Sequence, residues 1–452
     1  MKKFWIVLLA LGLVAGFAMS ASAADVKFSG SYYVTGIYVD NPELRTQAAR
    51  ALSAQAFYQQ RLRIQTEFKV AEGLSLVTRF DALEKPWGHW APGLAWRNDG
   101  GTPRFDVTNR LADAAGTDAR TQENIEFERA YIDFTTKIGR FNVGYQNFVA
   151  WGTMFLDTHV TRPGIKYFVP VGPLTVVAAI EKTADKNVGN GITAAADANI
   201  YDLGFIFKFG AGEAGLMYQY GDNNINRNAI PGVAEFSTKL HIFNPYVKAK
   251  VGPVYVEAEG VYGTGKIVDS ELPTLPSVDG EAMGLYIHAK GDVGPLYVGG
   301  IFAWMRGDDP ATTNKVEGTL AAALLAGQAW DPCLILWNDG IYGGQHRLTT
   351  PVGVFFDNAW FYQVYGGFKP TKQADIMMSL TTAYADKKPT VTWLNDNYGT
   401  ELDLIAKYKL FDNLEYMVGA AYLWTGDFFK GSVATTPIDN NFMLFHKLTL
   451  AF

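Results

Sequence analysis

Apolar and polar side chains alternate with a period of two along most of this chain. In the segment 58–70, Leu62, Ile64 and Phe68 lie on one face, and the opposite face carries arginine, glutamine, glutamate and lysine. Alternation this regular is typical of a β-strand that separates two different environments. After a turn at 71–73, the segment 74–82 continues the same pattern.

The pattern recurs and predicts eighteen strands. Their expected bounds are 25–39, 56–70, 74–84, 123–135, 139–149, 163–170, 173–182, 198–209, 213–221, 235–250, 253–263, 279–291, 295–306, 358–370, 374–385, 398–410, 414–426 and 440–452. Short turns such as 251–253 alternate with long polar connections such as 85–122 and 307–357. This asymmetry and the even strand number are typical of a bacterial outer-membrane barrel with both termini on the periplasmic side.

Strand length and aromatic placement agree with this interpretation. A strand of about 11 residues rises about 3.4 Å per residue, so at a tilt of about 40° it spans the apolar band of about 25 Å. Aromatic residues on the apolar parity, several of them near strand ends, predict girdles at the membrane interfaces. These are Tyr32, Tyr145, Tyr218, Tyr262, Trp304, Tyr384, Tyr422 and Trp424. The fold class expected is all-β, a transmembrane antiparallel up-and-down β-barrel; the alternative is a soluble β-sandwich.

The N-terminus predicts export. Two lysines, an apolar run from Phe4 to Phe17 and Ala21-Ser22-Ala23 form a secretory signal peptide over 1–23. The remainder, 24–452, is expected to be a single barrel domain, and no later apolar stretch reaches the roughly 18 residues of a membrane helix.

Composition excludes several function classes. The net charge of −6 gives nucleic-acid binding no electrostatic support. The single cysteine, Cys333, excludes a disulfide framework and any cysteine-rich metal or haem motif. None of the six histidines sits in a recognisable catalytic motif, so neither an enzyme nor a cofactor is expected. Calcium binding at loop carboxylates such as Asp222, Asp308 or Asp309 stays open.

The strands "RLRIQ" and "ERAYIDF" and the alternating strand that ends in Phe452 resemble those of Gram-negative outer-membrane porins, especially the larger 18-strand channels. The resemblance implies a homotrimer in a lipid bilayer with lipopolysaccharide. It also implies an assembly signal for the barrel assembly machinery, formed by Leu444, Leu448, Leu450 and Phe452. The third loop, 150–162, is shorter than in sixteen-strand porins, where it sets the constriction, so its role here is open.

A barrel of eighteen strands is too wide to fill with its own side chains, so a water-filled lumen is expected. The residues predicted to line it are Arg61, Arg63, Arg79, Asp81, Arg129, Asp133, Arg140 and Asp157. Further inward acidic positions are Glu257, Glu259, Glu401, Asp403 and Glu415. A basic wall that faces acidic groups would set ion selectivity. The alternative is that each arginine pairs with a neighbouring carboxylate and has no transport role.

Two long loops are candidates for narrowing the lumen. The apolar segment within 307–357 is expected to fold into the barrel mouth, contact another subunit or pack on other loops. The segment 85–122 contains Trp87, Trp90 and Trp96, which offer stacking surfaces to a sugar or simply pack within the loop.

The function expected is that of an outer-membrane porin, a water-filled channel for passive diffusion of small hydrophilic solutes or ions. One alternative is a substrate-selective channel for organic acids, amino acids or sugars. The other is a non-conducting structural or adhesive surface barrel. One feature disagrees with a simple barrel: His446 falls on the lipid-facing parity, which indicates either a subunit contact or a slip in the predicted register.

Overall fold

The computed structural model describes residues 25–50, 54–87, 125–148, 150–157, 160–185, 196–227, 235–273, 275–318, 330–338, 352 and 356–452. Its strands form a single 19-stranded sheet. They are β1 (Asp25–Val39), β2 (Gln55–Ala71), β3 (Leu74–Pro86), β4 (Glu126–Thr136), β5 (Gly139–Asn147), β6 (Thr161–Val171), β7 (Leu174–Asp185), β8 (Asp197–Phe209), β9 (Gly212–Asn223), β10 (Phe236–Val251), β11 (Val254–Ser270), β12 (Val278–Val293), β13 (Leu296–Met305), β14 (Lys315–Glu317), β15 (Ala359–Phe368), β16 (Ala374–Ala385), β17 (Asn397–Phe411), β18 (Leu414–Thr425) and β19 (Asn441–Ala451).

The sheet closes on itself into an antiparallel barrel of eighteen strands. Each barrel strand pairs with its sequence neighbours, and β1 pairs with β2 on one side and β19 on the other. Gly30 and Phe452 complete the seam with two backbone hydrogen bonds of 2.8 and 3.0 Å. Closure satisfies the backbone groups of both terminal strands, as the interior of a lipid bilayer requires.

The two ends of the barrel differ in their connections. At one end the strands are joined by tight turns, of which the turn between β10 and β11 is typical, with Gly252 at φ 61° in the left-handed region that favours glycine. The long connections lie at the other end. By the asymmetry of outer-membrane barrels, the tight turns mark the periplasmic end.

Alternation separates the two faces of the wall. In β19, the outward Leu444 and Leu448 are 44% and 39% exposed, whereas the inward Met443 and Phe445 are 0% and 4% exposed. The girdle positions predicted from the sequence include four outward, exposed aromatic residues: Tyr145, Tyr262, Tyr384 and Trp424. Among the described residues, no helix is long and apolar enough to cross a membrane.

The structure confirms the eighteen predicted strands and adds one element. Strand β6 spans eleven residues rather than the eight expected. Strand β11 continues to Ser270 rather than ending at 263. The additional element is β14, a three-residue strand that lies parallel to β12 in the loop after β13. Such a segment is too short to carry a recognisable period of two.

Candidate functional site

The arginines of β2 are bound to carboxylates on the inner wall. Arg63 makes a bidentate ion pair with Asp81 on β3, with Nε to Oδ1 at 2.7 Å and Nη2 to Oδ2 at 2.6 Å. Arg61 lies 3.9 Å from Asp81 and 3.5 Å from Glu84. Paired strands hold these groups side by side, because Arg63 is directly opposite Asp81 in the β2–β3 register.

A β-bulge in β4 extends this ion-pair network. In the β3–β4 register Arg79 faces Arg129 and Phe80 faces Phe127, so Glu128 is the extra residue. A bulge re-aims side chains, and here Glu128 and Arg129 both point inward between outward neighbours. Glu128 accepts a hydrogen bond from Arg79 at 2.8 Å and lies 3.7 Å from Arg63.

The remaining predicted pore residues fall into three situations. Arg140 pairs with Asp133 on the adjacent strand, nearer the periplasmic end. Arg129 makes no hydrogen bond or ion pair within the described part of the chain, and its buried Nε has no acceptor. Asp157 does not join the arginines; its Oδ1 accepts the backbone N–H of Trp151 at 2.7 Å. Burial raises the pKa of Asp157 to about 6.

The third loop folds inward despite its short length. Thr153 donates its backbone N–H and its hydroxyl to Glu259 Oε2 on β11, at 2.9 and 2.5 Å. Lys248 on β10 donates to the carbonyl of Gly152 at 2.7 Å. The loop therefore starts at β5 and reaches the wall of β10 and β11, so it crosses part of the lumen.

Trp151 covers the wall beneath this loop. Its indole N–H donates to the carbonyl of Asn244 at 3.0 Å. A Cβ placed on Gly204 or Gly215 would lie 3.1 or 2.9 Å from the indole ring. Glycines at these two positions therefore let the loop approach β8 and β9 closely.

The apolar loop segment after β13 enters the barrel, the first of its three expected placements. Glu401 on β17 accepts the backbone N–H groups of Leu334, Ile335 and Leu336 at 2.9, 2.6 and 2.9 Å. Trp337 is 1% exposed and contacts the ring of Phe361 on β15. This carboxylate therefore anchors a loop, a role that its inward parity alone did not reveal.

A buried apolar cluster fills one side of the lumen. It joins loop residues of 155–156 and 330–337 to inward residues of the wall. Of the buried members in the described ranges, those on strands belong to β1 and to β10–β13 and β15–β19, and none belongs to β2–β9. The strand members are Ile37, Val39, Ile242, Val261, Tyr286, Ala303, Met305, Ala359, Phe361, Ala383, Ala385, Tyr398, Ala421, Leu423, Met443 and Phe445.

One group of three side chains among the described residues has the spacing of metal ligands. The ligand atoms of Cys333, Glu401 and Asp403 lie within 4.8 Å of one another. Both oxygens of Glu401 already accept loop N–H groups. Burial raises the pKa of the Cys333 thiol well above its usual value, which disfavours the thiolate that a metal needs. The group therefore does not fit a metal.

The loop carboxylates considered for calcium have protein partners. Asp309 pairs with Lys387 at 3.0 Å, and Asp308 accepts the backbone N–H of Glu317 at 2.7 Å. Asp222 accepts a hydrogen bond from the Asn224 amide at 3.0 Å.

Sequence comparison identifies the family. Residues 7–427 match the family model of the Gram-negative porins. The chain belongs to the Gram-negative porin family. No curated protein sequence matches the chain.

Solved structures of outer-membrane porins share the fold of this porin. OccK9 (OpdG) of Pseudomonas aeruginosa has a TM-score of 0.51 and 14% identity, over 94% of this chain and 99% of its own. OccAB2 of Acinetobacter baumannii has a TM-score of 0.53 and 14% identity, over 96% and 100%. OccK2 (OpdF) of Pseudomonas aeruginosa, solved in complex with glucuronate, has a TM-score of 0.52 and 10% identity, over 95% and 98%. At these identities the likeness supports the fold, and together with the family it makes this porin an outer-membrane channel.

The outer face of the porin carries an unusual polar contact. The His446 ring nitrogen Nε2 lies 3.2 Å from the Tyr58 hydroxyl, across β1. His446 is opposite Gly36 in the β1–β19 register and shares its face with the exposed Leu444 and Leu448, so it lies on the outer face as the alternation predicts. Trp87 also lies on this face: it stacks on Tyr58 at 4.9 Å and donates to Gln60 at 2.8 Å. Trp87 therefore does not face the lumen, whereas Trp90 and Trp96 lie outside the described residues.

Proposed function

We propose that this porin passes small organic anions that carry a carboxylate, by passive diffusion along one side of the lumen. The observation that carries the proposal is the uneven filling of the barrel. The apolar cluster occupies the side of β10–β19, and the third loop covers β8 and β9. In the part of the chain that the structure describes, β2–β7 carry no buried member of this cluster, so we infer that solutes pass along them, where the arginines are concentrated.

The inward arginines of β2–β4 form what we call the arginine wall: Arg61, Arg63, Arg79 and Arg129. This wall suits solutes with a carboxylate because a guanidinium stays charged at any working pH and presents several hydrogen-bond donors. The structure of OccK2 in complex with glucuronate concerns a relative with 10% identity, and it motivates the choice of glucuronate as a test solute. A channel function also leaves no role for catalysis, so we propose that the chain is not an enzyme.

Electrical and flux measurements on purified porin test the proposal. In planar bilayers we expect conductance in KCl and a reversal potential that favours chloride under a salt gradient. In liposome swelling, glucuronate should enter faster than uncharged sugars of similar size. Protein that never conducts would support the structural barrel instead, and faster entry of neutral sugars would contradict anion selectivity.

The arginines can be tested together. Replacement of Arg61, Arg63 and Arg79 by serine removes three positive charges and leaves the neighbouring carboxylates unpaired. We expect the preference for anions to weaken or reverse. An unchanged reversal potential would show that this part of the wall does not act as the filter.

We infer that the surface around His446 is a subunit contact of a homotrimer. It is an outward groove of about 600 Å³ lined by small side chains such as Gly36, Ala56, Ala406 and Ala420. A polar histidine is costly against lipid chains, whereas a neighbouring subunit could cover it. Mass measurement in mild detergent should give three copies, and a His446→Trp variant should shift the mass towards one. A monomeric wild-type porin would contradict the contact.

Export and assembly complete the proposal. We propose cleavage of the signal peptide after Ala23, which N-terminal sequencing of the outer-membrane protein would detect. The outward residues Leu444, Leu448, Leu450 and Phe452 would form the signal for the barrel assembly machinery, and lipopolysaccharide would surround the outer rim. Phe452→Ser should slow assembly while Thr449→Ser, on the inward face, should not.

A further inference from the structure

The positive charge of the arginine wall is largely cancelled. Five ion pairs link Arg61, Arg63 and Arg79 to Asp81, Glu84 and Glu128. Three guanidinium groups therefore meet three carboxylates, and the network is neutral as a whole. Arg140 and Asp133 form a second neutral pair.

Arg129 is the exception within the predicted wall. No hydrogen bond or ion pair connects it to any residue of the described ranges, although its side chain is half-buried beside this network. An arginine presents five N–H donors. Arg63 and Arg79 each donate to a carboxylate of the wall, although the buried Nε of Arg79 has no acceptor. No side chain or backbone group of the described ranges accepts a hydrogen bond from Arg129; because its Nε is buried, the terminal Nη groups are the donors left for a solute.

The position of Arg129 is unfavourable for the barrel itself. It lies directly opposite Arg79 in the β3–β4 register, and like charges at facing positions destabilise a sheet. The bulge at Glu128 makes Arg129 differ further from the other arginines. It turns the Glu128 carboxylate towards Arg79 and Arg63, whereas Arg129 pairs with no carboxylate of the described residues. A residue that breaks a local rule without a structural gain is expected at a functional site.

We propose that Arg129 is the carboxylate-binding residue of the channel. A solute carboxylate docks on its guanidinium through paired N–H···O hydrogen bonds, the geometry that arginine offers and lysine does not. Arg61, Arg63 and Arg79 are positioning residues that hold the wall together. This inference rests on the proposed passage of organic anions and names the group that selects them.

Two variants separate contact from charge. Arg129→Lys keeps the charge but loses the bidentate geometry, and Arg129→Gln loses both. The matched control is Arg140→Lys, which makes the same change at a paired arginine. Each protein is measured in planar bilayers for its reversal potential in a KCl gradient and for the concentration of sodium glucuronate that halves the chloride current.

We expect Arg129→Lys to keep the wild-type reversal potential and to raise the half-blocking glucuronate concentration about tenfold, the effect of losing one charge-assisted hydrogen bond. Arg129→Gln should weaken block at least as much and shift the reversal potential towards potassium. Arg140→Lys should change neither quantity.

If Arg129→Lys has the wild-type half-blocking concentration of glucuronate, the proposed hydrogen bonds between Arg129 and the carboxylate are wrong. Arg129 would then act only through its positive charge. Equal weakening in Arg140→Lys would overturn the assignment to Arg129. A wild-type porin that conducts KCl but neither passes glucuronate nor is blocked by it would instead overturn the proposed function. That result is seen in the wild-type protein, so the two failures are distinguishable.

Discussion

Thr153 binds Glu259 twice, through its backbone N–H and its hydroxyl, and so ties the third loop to the far wall of the barrel. Glu259→Ala removes this acceptor, which Asn244 also contacts at 3.0 Å. We expect the loop to leave the wall and single-channel conductance to increase. The loss of three hydrogen bonds to this side chain should lower the free energy of unfolding by about 2–4 kcal/mol.

Thr153→Val is the graded control for this prediction. Valine keeps the shape and the backbone N–H but removes the hydroxyl donor, so we expect a smaller rise in conductance and a loss of about 1.5 kcal/mol. Wild-type conductance in both variants would mean that the loop does not limit ion flow.

Glu401 offers a second test at the other inward loop. Its two oxygens accept three backbone N–H groups of 334–336, so Glu401→Ala leaves the buried N–H groups of Ile335 and Leu336 without this acceptor, whereas Leu334 also bonds to Asp403. We expect the segment to loosen, the conductance to become larger and noisier, and the free energy of unfolding to fall by about 2–4 kcal/mol.

Glu415→Ala provides the comparison for Glu401→Ala, because Glu415 is an inward carboxylate beside the periplasmic turn between β17 and β18. Its loss should leave the noise of the current unchanged. Similar noise in both variants would argue against an anchoring role for Glu401.

We expect Asp157 to make the ion selectivity dependent on pH. Burial raises its pKa from 3.8 to about 6. Asp157 therefore holds a proton more readily in the folded porin than in the unfolded chain. Its contribution to the free energy of unfolding falls as the pH rises from about 4 to 6. Acidification from pH 7.5 to 5 removes one negative charge from the lumen, so the reversal potential should shift towards anions.

The variant that tests this is Asp157→Asn, which should lose most of the pH-dependent shift. Asp357 is the control, because burial raises its pKa to about 6 as well. A full shift in Asp157→Asn that disappears in Asp357→Asn would place the titrating group in the other loop.

Gly36 keeps the outer contact of His446 and Tyr58 possible. A Cβ at this position would lie 2.5 Å from His446 Nε2 and 2.7 Å from a ring carbon of Tyr58. Gly36→Ala should separate the two side chains and cost about 1–3 kcal/mol. The measurement is the temperature at which the folded barrel unfolds in detergent, with Gly260→Ala as control, since its nearest atoms would lie 3.7 Å away. Equal melting of Gly36→Ala and wild type would contradict the close contact.

The strands were predictable because each wall residue meets lipid or lumen, and this contrast repeats every second position. The parity of Glu259 and Glu401 was also predictable. Their anchoring role was not, because it depends on backbone N–H groups of loops that carry no period. The residues 330–338 show this well: their apolar composition indicated burial but left three possible locations.

The arginine wall shows the same limit. The sequence placed Arg61, Arg63, Arg79 and Arg129 on one wall but could not show which of them pair with carboxylates of that wall. The bulge at Glu128 brings a carboxylate to Arg79 and leaves Arg129 without one, because one inserted residue turns two neighbours to the same side. A strict alternation predicts only one of them inward.

The two inward loops are anchored at different depths of the barrel. Glu401, which holds the segment 334–336, lies near the end of β17 that follows a long connection, whereas Glu259 and Lys248, which hold the third loop, lie nearer the tight turn between β10 and β11. A solute therefore passes the two described loops one after the other. Because the two obstacles differ in side chains and depth, current through one channel should differ in size when the sign of the voltage is reversed.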